Sequence, residues 1–230
     1  MGLRDLTKEA LTRLGARCSP SHIHGLNAAL NYMETGRWLR ARGFGDPPRH
    51  PTREQLYDAL GPKVGGERVL YLEFGVYYGY SLRLWSKLLK NPRSSLHGFD
   101  SFEGLPEDWR PGFPRGAFAH AIPRLRPNVS LEIGAFEETL PCFVARHGGS
   151  RAGFVHVDCD LYSSTRTVFE HCAPMIGPGT VIVFDEYFNY AGWRRHEYRA
   201  FQEFIAAGGS TYEYIGVVPA GQQVAVLVTG

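Results

Sequence analysis

The segment Leu72-Glu73-Phe74-Gly75-Val76-Tyr77-Tyr78-Gly79-Tyr80-Ser81 (LEFGVYYGYS) marks the point where an apolar strand turns into a helix. Glycine adopts positive φ angles and lets the backbone approach a ligand, so Gly75 and Gly79 predict a tight strand-to-helix turn. The pattern is not the dinucleotide fingerprint G-x-G-x-x-G, and it has no phosphate-binding lysine. It therefore argues against a nicotinamide or a P-loop nucleotide site.

Around this turn, apolar strands alternate with amphipathic helices. We predict strands at 69–74, 95–99, 129–133, 153–157 and 180–184, and a final pair at 211–215 and 224–228. This alternation is typical of an α/β fold with a Rossmann-like, mostly parallel, doubly wound sheet covered by helices on both faces. Residues 1–66 are predicted to be helical, and Ser21 is expected to cap a helix over 22–41. We therefore divide the chain into an N-terminal helical extension, 1–66, and a Rossmann-like domain, 67–230.

The composition excludes several classes of protein. The 230 residues contain 25 Lys and Arg against 23 Asp and Glu, and the formal charge of +2 argues against a nucleic-acid binder. There is no apolar run long enough for a membrane span and no signal peptide, so we expect a cytoplasmic protein without a membrane partner. The 27 glycines and 15 prolines exceed average usage, which indicates many turns.

Acidic residues stand at or just before the ends of four predicted strands: Glu73, Asp100, Asp158 and Asp185. Parallel sheets bind ligands outside the carboxyl ends of their strands, so these acids predict a site at one edge of the sheet. Glu73 suits a positively charged group, such as the amino acid part of S-adenosylmethionine, or is simply tolerated in an ordinary turn. Asp100 is placed to bind both hydroxyls of a ribose, or to cap a turn.

A second acidic group indicates a metal. Asp158, Asp185 and Glu186 would present hard oxygen ligands of the kind that magnesium prefers. Carboxylates this close repel one another, so a cation is a natural partner. The alternative is that Asp158 or Asp160 caps the next helix while Glu186 is solvated.

One histidine lies in a loop suited to catalysis. His120 belongs to the Gly- and Pro-rich segment 108–127, and long loops at the carboxyl edge are often lids. His120 is a candidate general base, or an exposed loop residue with no such role. His156 lies inside a strand and is expected to be a core residue.

Five strings of the sequence resemble the macrocin O-methyltransferase family when taken together. They are LEFGVYYGYS (72–81), GFDSFEGLP (98–106), GAFEETLP (134–141), HVDCDLYSST (156–165) and VIVFDEYFNY (181–190). Members of this family are class I S-adenosylmethionine-dependent methyltransferases that act on hydroxyl groups, several with bound magnesium. This chain has Asp185-Glu186 where the family commonly has two aspartates, and Cys159 where it commonly has glycine.

The resemblance implies roles for residues along the predicted edge. Those expected to contact S-adenosylmethionine are Glu73, Gly75, Gly79, Ser81, Asp100, Ser101, Phe102, Ala135, Phe136 and Asp158. Ala135 and Phe136 would flank the adenine. The residues that fall on the family's metal positions are Asp158, Asp185 and Glu186.

We therefore predict an S-adenosylmethionine-dependent O-methyltransferase, assisted by Mg²⁺ or a similar divalent ion, that acts on a sugar or phenol in natural product biosynthesis. His120, Asp158 and Asp185 are the expected catalytic residues. The alternatives are a metal-dependent nucleotide-sugar glycosyltransferase that uses Asp158-Cys159-Asp160, and a cofactor-binding scaffold without activity. The N-terminal helices are candidates for an interface in a homo-oligomer or for a cap over the acceptor.

Overall fold

The computed structural model describes residues 3–41, 47–64, 68–147 and 149–230. The chain forms two compact units, Met1–Gly43 with Asn189–Ala191, and Phe44–Phe188 with Gly192–Gly230. The predicted domain boundary between residues 66 and 67 lies outside the described residues and stays a prediction. No helix in the described residues is long and apolar enough to cross a membrane.

The smaller unit contains two helices, α1 (Leu3–Gly15) and α2 (Pro20–Ala41). Helix α2 begins two residues earlier than predicted, with Pro20 as its first residue, where a missing N–H is harmless. The Ser19 hydroxyl accepts the backbone N–H of His22 at 3.3 Å. Ser19 rather than Ser21 is thus the capping residue, because a cap must precede the first helical residue.

The larger unit is built on seven strands: β1 (Leu70–Phe74), β2 (Ser95–Asp100), β3 (Val129–Ile133), β4 (Phe154–Val157), β5 (Val181–Phe184), β6 (Tyr212–Val217) and β7 (Val224–Val228). Its helices are α3 (Arg53–Val64), α4 (Tyr80–Leu88), α5 (Phe136–His147), α6 (Tyr162–Cys172) and α7 (Glu197–Gly208). Two short 3₁₀ turns complete it, Ala173–Met175 and Trp193–Arg195.

The sheet has the order β3-β2-β1-β4-β5-β7-β6, and β7 alone among its strands runs antiparallel to its two neighbours. All residues of β1, β4 and β5 are buried, as expected for parallel strands covered on both faces. The predicted Rossmann-like, mostly parallel sheet with flanking helices and an N-terminal helical extension is therefore confirmed.

The strand order places the predicted acids at one edge. The chain leaves β1 towards β2 and β3, and later returns to the other side of β1 to form β4 and β5, so the switch point lies between β1 and β4. Hydrogen bonds continue one residue past the strand ends, from Asp158 N to Phe74 O at 2.9 Å and from Asp185 N to Val157 O at 2.9 Å. These bonds fix the residues after β4 and β5 at the same level of the sheet.

The turn after β1 depends on glycine at position 75. Gly75 has a φ of +91°, and a Cβ added there would lie 1.7 Å from the backbone oxygen of Asp158. The backbone after β1 therefore contacts the backbone after β4 directly. Only a residue without a side chain allows this approach.

We predict that Gly75→Ala lowers the free energy of unfolding by more than about 2 kcal/mol, because it adds an unfavourable φ to a backbone clash. Urea unfolding followed by circular dichroism measures this change. Gly177→Ala is the matched control, since its added Cβ meets no heavy atom within 4 Å. We expect the control to change the stability by less than about 1 kcal/mol. Equal stabilities for the two variants would contradict the close approach.

Candidate functional site

The carboxylate of Glu73 lies in the interior beneath the glycine turn, with no exposed surface. Its Oε1 accepts the Ser81 hydroxyl at 2.7 Å, and its Oε2 accepts a nitrogen of His156 at 3.1 Å and the hydroxyl of Tyr71. Ser81 is the second residue of the helix after the turn, so its bond to Glu73 closes the turn from below. Glu73 and Ser81 thus support the turn from inside the protein, and their predicted contact with a cofactor stays a prediction.

Asp100 holds the same turn from the side of β2. Its Oδ2 accepts the backbone N–H of Val76 at 2.8 Å and of Tyr77 at 2.9 Å, and its Oδ1 accepts that of Phe102 at 2.7 Å. The structure therefore contains the turn-capping interactions that were the alternative to ribose binding. A carboxylate has about four acceptor sites, two on each oxygen, so these three bonds leave one site, on Oδ1, for a hydroxyl donor.

The residues predicted to lie near a ribose and an adenine are adjacent. Gly134 N donates to the Asp100 backbone oxygen at 3.1 Å, which brings the start of α5 beside the end of β2. The Phe136 ring packs edge-to-face on Phe74 at 5.8 Å between centroids, and Ala135 is exposed. Ser101 accepts the N–H of Glu103 at 3.2 Å, whereas Phe102 is buried with a φ of 59°.

The ends of β4 and β5 form an acidic cluster. One ligand atom each from His156, Asp158 and Asp185 lies within 4.8 Å of the other two, a spacing at which they could hold a metal ion. Both nitrogens of His156 are engaged, one by Glu73 and the other by the Tyr57 hydroxyl at 3.0 Å. Asp158 and Asp185 are therefore the members of this group with oxygens to offer a cation. The close group includes two of the three predicted ligands, and Glu186 is not part of it.

Asp185 also has a buried carboxylate oxygen that is available to bind a cation. Within the described part of the chain, no donor reaches its buried Oδ1. Its Oδ2 lies 3.5 Å from Nη1 of Arg53, which comes from α3. Arg53 also lies over the Tyr80 ring, 5.0 Å from its centroid. One positive charge of the protein thus already faces this carboxylate, and one buried oxygen remains for an ion.

The surrounding acids raise one another's pKa. Burial, followed by the charge of Asp185, raises the pKa of Asp158 and of Glu186 well above the usual carboxyl range. Burial raises the pKa of Asp160 to about 7, against the opposing charge of Arg110. Such mutual repulsion favours binding of a cation, which would stabilise the charged forms.

A further buried acid organises the loops after β4 and β5. Glu197, with no exposed surface, accepts the backbone N–H of Asp160 at 3.2 Å and of Cys159 at 3.4 Å on one oxygen. Its other oxygen accepts the N–H of Glu186 at 3.3 Å. Glu197 therefore joins the two loops that carry the acidic cluster. Burial raises its pKa well above the usual range, with a further contribution from Asp160.

His120 lies against the glycine turn. Its ring centroid is 3.9 Å from that of Tyr78 and 5.4 Å from that of Tyr77. Its Nδ1 is 2.7 Å from the carbonyl oxygen of Ala121, and since a carbonyl only accepts, Nδ1 carries the proton. In the neutral ring, Nε2 is then the atom able to accept a proton. The backbone N–H of His120 donates to Phe102 O at 3.1 Å, which anchors the loop to the end of β2.

Sequence reasoning missed Arg53, Tyr57 and Glu197. Arg53 and Tyr57 are four residues apart on α3, one helical turn, and they reach residues 132 and 99 positions away. No local motif connects positions so distant. The position of Arg53 and Tyr57 on one face of α3 was the available cue in the sequence. It is a weak one, because a polar helix face usually lies towards solvent and not towards a binding site. Glu197 had no cue beyond its place in the first turn of a helix.

The fold is that of a class I methyltransferase. A family model described as a methyltransferase domain matches residues 72–187, which is half of the chain. The chain belongs to this methyltransferase-domain family, and the predicted methyltransferase class is confirmed.

Solved structures show the same fold. CalS11, a calicheamicin methyltransferase, is 24% identical with a TM-score of 0.63, over 78% of this chain and 81% of that chain. The O-methyltransferase NovP is 20% identical with a TM-score of 0.56, over 77% and 78%. An O-methyltransferase from Bacillus cereus, solved with SAH, is 19% identical with a TM-score of 0.52, over 87% and 91%. No curated protein matches the chain in a sequence search.

We predict that Asp100→Ala lowers the free energy of unfolding by about 2 kcal/mol or more, because three backbone N–H groups lose their acceptor. Asp108→Ala is the matched control, since it removes an acceptor for one backbone N–H, that of Arg115 at 2.7 Å. We expect about 1 kcal/mol for the control, measured by urea unfolding. Asp100→Ala as stable as the wild type would show that this carboxylate does not hold the turn.

Proposed function

We propose that the protein transfers the methyl group of S-adenosylmethionine to a hydroxyl group of a small natural product, a sugar or phenol, as in the macrocin O-methyltransferase family. The observation that carries the proposal is the glycine turn at the switch point. Glu73 and Asp100 hold this turn, and it lies beside the acids that follow β4 and β5. CalS11 is also described as a TDP-rhamnose 3'-O-methyltransferase, which supports a hydroxyl acceptor.

The turn and its neighbours would hold the cofactor. Gly75 and Gly79 would face its methionine part, with Glu73 and Ser81 supporting the turn from within. Asp100 would accept a hydrogen bond from a ribose hydroxyl at Oδ1, with Ser101 and Phe102 beside it. Ala135 and Phe136 would flank the adenine, and Asp158 would lie near the sulfonium, where a negative charge is favourable.

The transfer itself needs alignment and removal of one proton. The bond from sulfur to the methyl carbon breaks as the bond from the acceptor oxygen to that carbon forms, so the two must be held in line. The acceptor loses its hydroxyl proton, and His120 Nε2 is the candidate base because Nδ1 is committed to a carbonyl. The aromatic rings of Tyr77 and Tyr78, which contact His120, would shield this region from water.

Asp158, Asp185 and the predicted Glu186 would hold a divalent ion such as Mg²⁺. When bound, this ion would stabilise negative charge on the acceptor oxygen. The orphaned buried Oδ1 of Asp185 and the raised pKa of Asp158 and Glu186 support this role. Arg53 would balance part of the charge of Asp185.

We predict that the wild-type protein binds S-adenosylhomocysteine and that Asp100→Ala weakens this binding at least about tenfold, because a charged hydrogen bond is worth about 1.5–3 kcal/mol. Isothermal titration calorimetry measures both affinities. Asp108→Ala, which removes a carboxylate outside the expected cofactor site, should bind with wild-type affinity. Absence of binding to the wild type would overturn the proposal, and normal binding to Asp100→Ala would overturn the ribose assignment.

We predict that EDTA-treated, dialysed protein binds Mg²⁺ and that Asp185→Asn weakens this affinity at least about tenfold, since a neutral amide replaces a charged ligand. Titration calorimetry with MgCl₂ measures it. Glu186→Gln decides whether Glu186 is a third ligand, and Asp58→Asn, an exposed acid on α3, is the control. Equal Mg²⁺ affinity for Asp185→Asn and the wild type would exclude a metal at Asp185.

A further inference from the structure

Four buried side chains form a continuous chain of hydrogen bonds across the larger unit, which we call the relay: Tyr57, His156, Glu73 and Ser81. The Tyr57 hydroxyl bonds Nε2 of His156 at 3.0 Å, and Nδ1 of His156 bonds Oε2 of Glu73 at 3.1 Å. Oε1 of Glu73 accepts the Ser81 hydroxyl at 2.7 Å. The relay thus runs from α3 through β4 and β1 to α4.

The chemistry of the groups fixes the direction of these bonds. The carboxylate of Glu73 only accepts, so Nδ1 of His156 carries the proton and donates it. In the neutral ring Nε2 is then an acceptor, and it takes the hydroxyl hydrogen of Tyr57. Every donor points towards Glu73, which becomes the junction of the relay.

Burial makes the relay rigid. Tyr57, His156 and Glu73 have no exposed surface, and Ser81 is 6% exposed. Water cannot replace a partner that moves away, so a broken bond leaves a buried polar group unsatisfied. Packing adds to this constraint, because the Tyr57 ring contacts the His156 ring edge-on at 5.7 Å between centroids.

The two ends of the relay lie at the two halves of the proposed site. Ser81 is in the first turn of α4, directly after the glycine turn. Tyr57 lies one helical turn after Arg53, which contacts Asp185, and the relay's His156 is within 4.8 Å of oxygens of Asp158 and Asp185. The relay therefore joins the turn after β1 to the acidic cluster after β4 and β5.

We infer that Tyr57 and His156 are positioning residues for the cofactor: they fix Glu73, and through Glu73 and Ser81 they keep the glycine turn in its binding conformation. This inference rests on the proposed function, because it concerns the binding of S-adenosylmethionine. It assigns a role to α3, a helix that the sequence placed in the extension and that carries no recognised motif.

A double-mutant cycle between the two ends of the relay tests the inference. Tyr57→Phe and Ser81→Ala each remove one hydroxyl, and the affinity for S-adenosylhomocysteine is measured by titration calorimetry. We expect each to weaken binding about 3- to 10-fold. Because the residues act through one carboxylate, the double variant should lose less than the product of the two single losses. An affinity of Tyr57→Phe equal to wild type, or losses that multiply, would overturn the positioning role.

Tyr214→Phe is the matched control, because it also removes a tyrosine hydroxyl from a hydrogen bond, here to Tyr187 at 2.8 Å. It should leave the affinity unchanged, and combined with Ser81→Ala it should bind as Ser81→Ala alone. A comparable loss of affinity in this control would mean that any lost buried hydroxyl weakens binding, and would overturn a specific role for Tyr57.

Two further measurements separate the relay from the proposed function. The same double-mutant cycle, measured by urea unfolding, requires no cofactor. Additive changes in the free energy of unfolding would overturn the relay itself. If the wild type binds no S-adenosylhomocysteine, the proposed function and the positioning role fail together. Non-additive changes in the free energy of unfolding would then still support the relay as a structural unit.

The two variants His156→Gln and His156→Leu test the relay at its centre. His156→Gln can donate to Glu73 and accept from Tyr57, so it should bind S-adenosylhomocysteine more tightly than His156→Leu. Equal affinities would contradict the relay.

Discussion

The buried carboxylate of Glu73 is the interaction on which the site depends. It has no exposed surface and accepts hydrogen bonds from Ser81, His156 and Tyr71. A carboxylate in a protein interior is costly unless such donors surround it. Because those donors come from α4, β4 and β1 itself, satisfying Glu73 fixes the geometry of the turn between β1 and α4.

A steric constraint works beside this electrostatic one. Gly75 brings the backbone after β1 against the oxygen of Asp158, so the turn and the acidic cluster share one boundary. Asp100 completes the support from β2 by accepting the N–H groups of Val76 and Tyr77. The turn is thus held from below by Glu73, from one side by Asp100 and from the other by Asp158. Preorganisation of this kind lowers the cost of ordering a binding loop around its ligand.

The acidic cluster shows how a nearly neutral protein can concentrate charge. Asp158, Asp160, Asp185, Glu186 and Glu197 meet after β4 and β5, whereas the formal charge of the chain is only +2. Arg53 acts on Asp185 and Asp158, and Arg110 acts on Asp160. Burial, followed by the charges of Asp185 and the other nearby acids, raises the pKa of Asp158 and favours binding of a positively charged ligand.

The sequence by itself determined the sheet, the turn and the edge at which the acids meet. Those features depend on local patterns: apolar runs of strand length, glycines at 75 and 79, and acids at strand ends, whose common edge follows from parallel topology. Only the tertiary structure decided what these acids contact. It directed Glu73 inward, gave Asp100 three backbone donors, placed His156 between Glu73 and Tyr57, and brought Arg53 to Asp185. The contacts of Asp100 with Tyr77, of His156 with Tyr57 and of Arg53 with Asp185 join residues 23, 99 and 132 positions apart. No local pattern encodes them, because they arise from the packing of separate elements.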